Sequence, residues 1–181
     1  KWGSDSVTCI TNLSLYREYY KQKNYKDALN PWRWAYLNCP QSSGNIYKNG
    51  PVIIKAQMKV DKENKDAYID TLMQIYDRRI EFFGKEGFVL GLKGSDLLRY
   101  EKTRYDEAYQ ILKKSYEIEQ NRSSAGAISS YFKSATIMEK NGKLQKEDIL
   151  ELYAEVSSVI DYNLENNPKK TKFYTQTSSN V

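Results

Sequence analysis

The sequence predicts an all-α fold, a right-handed α-solenoid of about four antiparallel helix pairs. Three observations carry that prediction. Aromatic and aliphatic residues, among them sixteen Tyr, recur at helical spacing, and period-two strand alternation is almost absent. The run from Tyr25 to Pro40, with Ala28, Trp32 and Ala35 on one face, has a weaker copy from Tyr105 to Leu112 and fainter echoes near Lys65 and Lys146. A period of roughly 40 residues follows, the mark of helix pairs that must stack to bury their apolar faces. Finally, turn-forming residues punctuate the chain at matching intervals.

The first helix runs from about Val7 to Lys23, with Leu13, Tyr16, Tyr19 and Tyr20 along one stripe. Ala28, Leu29, Trp32, Ala35 and Tyr36 give the matching stripe on the second. Gln41-Ser42-Ser43-Gly44 is a turn, and Ile46 to Val60 a third helix that Gly50-Pro51 is expected to interrupt or restart. Residues 61–64 connect to a long fourth helix ending at Phe83, with Gly84 as its stop. Phe88 to Tyr100 and Tyr105 to Glu119 form the third pair. Ala125 to Lys140 and Lys146 to Asn166 form the fourth, with Asn141-Gly142 between them. Second helices thus start near residues 25, 65, 105 and 146. One domain is expected over 1–168, with pairs near 7–40, 43–84, 86–120 and 124–167. Residues 169–181 read as a polar tail without a capping helix, able to lead into further repeats.

Composition narrows the chemistry. The 28 basic and 23 acidic residues give a net charge of +5, but they interleave in stretches such as Asp77-Arg78-Arg79-Ile80-Glu81, which read as solvated helix faces. A nucleic-acid surface would call for one clustered basic stripe, so no nucleic acid is expected. No apolar run approaches the 18 or so residues of a membrane span. The start at Lys1-Trp2-Gly3, with no initiator Met, is expected of a processed protein or a fragment.

Histidine is absent, which removes the commonest general base, the Ser-His and Cys-His pairs and the usual zinc ligands. The glycines of 84–87 and 91–94 lack both the GK[ST] ending and a preceding strand, and so are expected to stop and start helices rather than cradle phosphate. No cofactor, no metal and no enzymatic activity are expected. Carboxylates such as Glu147/Asp148 and Glu117/Glu119 remain the sole acid/base candidates, on faces expected to be exposed. Asn12-Leu13-Ser14 and Asn121-Arg122-Ser123 match a glycosylation pattern short enough to arise by chance.

Cys9 and Cys39 are the two cysteines, at the start of the first helix and the end of the second. Two antiparallel helices of about 15 residues bring both back to one end of the hairpin. A bridge there would close a loop worth about 3.5 kcal/mol on a chain-entropy model and fit an exported location; the alternative is two reduced, part-buried thiols.

In the first unit the residues resemble the tetratricopeptide family, whose unit pairs a helix bearing W-x2-L-G-x2-Y with one bearing A-x3-F and a closing Pro. Leu15 and Tyr19 take the family's Leu and Tyr positions, Ala28 and Ala35 its small residues, Trp32 its Phe, and Pro40 the close. Asn12 replaces the Trp, Tyr16 replaces the Gly, and Pro31 lies inside the second helix. A ring at Tyr16 is expected to force the pair apart unless it is splayed. The third unit keeps Tyr105, Ala108 and Leu112, the second little beyond Ala67. The aromatic-rich texture also resembles exported repeat proteins of Bacteroidota, and Asp5-Ser6-Val7 and Asp70-Thr71-Leu72 resemble the three-residue O-glycosylation signal of those bacteria.

The tetratricopeptide resemblance implies that first helices line a concave groove. Its binding residues would then be Arg17, Tyr20, Lys21, Asn49, Lys93, Tyr100 and Lys133, a basic and aromatic set suited to an acidic or C-terminal peptide. On the blander reading these Tyr pack between stacked pairs and the Lys are solvated. The resemblance implies a non-catalytic scaffold for a protein or peptide partner, exported to the periplasm or bacterial envelope. A glycan-binding surface protein is the alternative, and single-stranded nucleic-acid binding a third.

Overall fold

Second helices begin at Tyr25, Lys65, Tyr105 and Lys146, the four starts that the repeat spacing sets. The computed structural model describes residues 5–181; the expectation attached to Lys1-Trp2-Gly3 lies outside the described residues. Four antiparallel pairs follow one another: α1 (Ser6–Lys21) with α2 (Tyr25–Asn38), α3 (Asn45–Val60) with α4 (Lys65–Phe83), α5 (Glu86–Tyr100) with α6 (Tyr105–Glu119), and α7 (Ala125–Lys140) with α8 (Lys146–Asn166). A short α9 (Thr171–Ser178) ends the chain, and no strand occurs among the described residues. The fold is all-α.

Local chemistry sets several of these boundaries. Asp5 accepts from the Thr8 amide at 2.9 Å, and Ser124 accepts from the Ala127 amide at 3.3 Å. Each satisfies an otherwise orphaned N–H, worth about 1 kcal/mol. Gln145 and Asp148 form a reciprocal capping box at the start of α8. Gly84 closes α4 with a φ of 67°, a conformation that side chains resist.

The chain divides into two compact units, the first ending at Gly84 and the second running Lys85–Val181. In the first, Cys9 and Cys39 form a disulfide with a Cα–Cα distance of 6.3 Å, joining the start of α1 to the end of α2. Tyr16 is fully buried, and α1 nonetheless packs closely against α2. The pair is therefore not forced apart. Leu15, placed at the family's Leu position, is exposed; Cys9, Leu13 and Tyr16 form the buried stripe instead, so α1 is turned relative to the family register.

Trp32 organises the rest of this unit. Its ring is fully buried and stacks on Tyr36 at 5.1 Å, and its indole N–H donates to the Ile46 carbonyl at 2.8 Å. A Cβ at Gly50 would lie 2.6 Å from the indole, so α3 approaches α2 this closely only with glycine there. The expected break at Gly50-Pro51 does not occur: α3 runs through Pro51, and α2 through Pro31. Proline's φ is helical, so each ring forfeits one backbone bond and strains one turn, which burial of both rings offsets.

The second unit packs differently. Gly91 and Gly94 lie inside α5, which corrects the expectation that this pair stops and starts helices, whereas Gly87 is the second residue of α5, at its start. A Cβ on Gly94 would stand 2.5 Å from Leu112 Cγ and 3.3 Å from the Ala108 carbonyl, so this helix seats directly on α6. Leu112, Ile128, Ala135, Val156 and Ile160 build the core beyond it. The polar tail is corrected as well. Within it α9 packs on α7 and α8, with Tyr174 buried and its hydroxyl donating to the Ser123 carbonyl at 2.7 Å. One buried aromatic, Tyr174, anchors a largely polar segment.

Candidate functional site

Arg17 and Asn49 come together in the first unit. The Arg17 guanidinium donates to Ser43 Oγ at 3.1 Å, and Arg17 and Asn49 both lie beside the buried Tyr16 hydroxyl. Burial is the main cause that raises the Tyr16 pKa, and the two neighbours pull against it. Among the described residues that hydroxyl has no hydrogen-bond partner. Tyr20, half-buried, presents its ring edge-on to Tyr25 at 5.6 Å, and burial is likewise the first cause of its raised pKa. Lys21 is exposed and ion-paired with Glu18 at 2.9 Å, a helix-surface pair of small energy.

The other three predicted residues belong to the second unit. Lys93 and Tyr100 are half-buried on α5, and the exposed Lys133 lines a notch of about 340 Å³ with Ser129, Phe132 and Asn180. Thr71, of the second glycosylation-like triplet, lies inside α4 with its hydroxyl bonded to the Ala67 carbonyl at 2.8 Å. Ser6 is exposed at the start of α1.

A different feature dominates the second unit, and no predicted binding residue touches it. Between α6 and α8 a groove of about 640 Å³ opens over α7. Tyr109 and Tyr116 from α6 and Tyr131 from α7 form its floor, with Tyr131 centred 5.6 Å from Tyr109 and 5.5 Å from Tyr116. The rings are more than nine-tenths buried. Glu117 stands on one wall, and Asp148, Glu151 and Glu155 stand on the other, with Lys113 the sole cation in the lining. Asp148 is engaged in capping α8, where it accepts from the Gln145 amide at 2.7 Å. Among the described residues Glu117, Glu151 and Glu155 have no ion-pair partner.

The electrostatics of the floor follow from that arrangement. Burial pushes the Tyr131 hydroxyl well above its ordinary value, and Tyr109 and the Glu155 and Glu117 carboxylates push it the same way. Tyr116 is raised by burial and then by Glu155. Both rings thus stay neutral under the negative potential of the walls. The rings themselves are almost wholly buried, so it is the carboxylate walls that favour a cation.

Sequence reasoning missed this groove because its parts lie on three helices. Each carboxylate, read alone, belongs to a solvated helix face; the signal was Asp148, Glu151 and Glu155 at i, i+3, i+7 on α8, opposite Glu117 in the preceding pair. Glu119, by contrast, reaches toward Arg122 at 3.9 Å, and Glu147 is exposed outside the groove. Among the described residues no group of three or more Cys, Asp or Glu is arranged to hold a metal ion.

No family model matches the chain, and no curated protein matches it in sequence. A solved structure from work on the functional characterisation of Pseudomonas aeruginosa PilF is similar at 19% identity and a TM-score of 0.48, covering 95% of this chain and 75% of that chain. A likeness of this strength bears on neither activity nor partner.

Proposed function

We propose that this protein is a non-catalytic scaffold that holds a protein or peptide partner on its helical surface, and that the Arg17–Asn49 face takes an acidic segment of it. The observation that carries this reading is the guanidinium of Arg17, held in place by Ser43 at 3.1 Å with Asn49 close by. A guanidinium offers five N–H donors, and the Ser43 bond uses one; the rest suit a carboxylate in fork geometry. Tyr20 lies one helical turn further along α1, where it adds rigid contact area.

The Cys9–Cys39 disulfide supports an exported protein, in the periplasm or bound to the bacterial envelope, because such bonds persist in oxidising compartments. No helix among the described residues is long and apolar enough to cross a membrane. Glycan binding would call for exposed, coplanar tryptophans, whereas Trp32 is fully buried with its N–H already bonded.

Fluorescence anisotropy with a labelled hexaglutamate peptide tests the proposal. Wild-type protein should bind it, and Arg17→Ala together with Asn49→Ala should weaken binding about 10-fold, with affinity falling as salt rises. Equal binding by wild type and double variant would refute the assignment of this face.

A further inference from the structure

We propose that the groove between α6 and α8 is a docking site for the arginine and lysine side chains of an extended peptide segment of a partner. It rests on other helices and on the opposite charge from the Arg17–Asn49 face, so it stands whether or not that face binds. The chain as a whole carries +5, yet its groove is walled by Glu117, Glu151 and Glu155, carboxylates without ion-pair partners among the described residues, and by one lysine. A local excess of negative charge on a basic protein is costly through self-repulsion unless something cationic relieves it. The buried tyrosine floor excludes water from the base of the groove, which strengthens charge pairing with the walls above it.

Size and spacing narrow the occupant. About 640 Å³ is too large for one hydrated ion and matches the pockets that enclose several side-chain-sized groups. Glu151 and Glu155 are one helical turn apart, roughly 6 Å along α8. Alternate side chains of an extended peptide lie on one face roughly 6.6 Å apart. Arginine at every second position therefore meets one carboxylate per step, with the intervening side chains pointing away. Guanidinium suits the site better than ammonium, since its planar fork can meet a carboxylate through two parallel N–H donors.

The test is isothermal titration of the intact protein with a seven-residue peptide of alternating arginine and glycine. Glutamate-glycine of the same length and spermidine serve as comparison arms. The arginine peptide should bind, more weakly as salt rises, and the glutamate peptide should not. Glu151→Gln together with Glu155→Gln should weaken the arginine peptide about 10-fold, Lys113→Glu should tighten it, and Glu147→Gln, outside the groove, should leave it unchanged. These exposed substitutions disturb no core packing, and thermal melts of each variant verify folding. Three results would overturn the proposal: unchanged affinity in the double glutamine variant, spermidine binding as tightly as the peptide, or self-association abolished by the same two substitutions. The last would make a second copy of this chain the occupant.

Discussion

The two units share one topology, helix pairs joined by short turns, and both bury large rings, but they differ in what draws their helices together. The first fills its interior with large rings and secures one end covalently: Trp32, Tyr36 and Tyr47 are buried, Arg78 lies over Tyr36 at 4.2 Å, and Cys9 is bonded to Cys39. The second removes side chains so that backbones can meet, with Gly87, Gly91 and Gly94 of α5 seated against α6 and α7. Spacing along the chain fixes where helices start and turn, while the means of packing them is free to vary. Their candidate sites differ in the same way, a guanidinium face in the first unit and a carboxylate groove in the second.

Deleting the ring that organises the first unit should have the largest effect. Trp32→Ala removes a fully buried side chain and leaves the Ile46 carbonyl without its donor, for an expected loss of about 3–5 kcal/mol. Hydrogen exchange should show the loss at the amides of α1 to α3. Next comes the disulfide. Cys9→Ser with Cys39→Ser should cost about 3 kcal/mol in urea unfolding, and reduction of the wild type should give the same shift in midpoint. If the first unit's amides exchange no faster in that variant, the covalent tie is dispensable and the two units are held alike.

Gly94→Ala probes the second unit by the reverse operation, adding one methyl group where Leu112 stands 2.5 Å away. The expected cost is about 1–3 kcal/mol from overpacking, read as a lower urea midpoint with an unchanged slope. An unaffected midpoint would show that α5 can lift from α6 without penalty.

Alkaline titration gives the smallest effect within the neutral range and treats both units alike. Burial raises the pKa of Tyr16 and Tyr47 in the first unit and of Tyr116, Tyr131 and Tyr174 in the second above the ordinary 10.0. The unfolded chain ionises near that value while the folded chain does not, so stability is intact below pH 10 and declines as pH rises beyond it. Urea midpoints should be level from pH 7 to 9 and lower at pH 11, with Tyr131→Phe reducing the decline.

Much of the fold was legible because punctuation repeats. Gly84 and Asn141-Gly142 mark stops, and Ala28 and Ala108, fully buried on α2 and α6, mark the same place in two pairs. Less legible were contacts that skip along the chain. Pro51 signals a break by its own chemistry, and the sequence does not show that Trp32 will reach across to bond Ile46 in the same helix. The helix α9 rests on Tyr174 meeting Ser123, a partner 51 residues earlier that no local pattern announces. The candidate site divided likewise. Arg17 and Asn49 both lie beside the Tyr16 hydroxyl, while the groove needed carboxylates from α6 and α8 and a floor from α7.

On the two proposals, one chain presents a guanidinium face and a carboxylate groove, each suited to its own kind of peptide. Chemical-shift mapping of the intact protein with the arginine-glycine peptide, and then with hexaglutamate, tests it most directly. Shifts are expected at Tyr116, Glu117, Glu151 and Glu155 with the first peptide and at Arg17, Tyr20 and Asn49 with the second. Perturbation of one common set by both peptides, or of neither set by either, would contradict it.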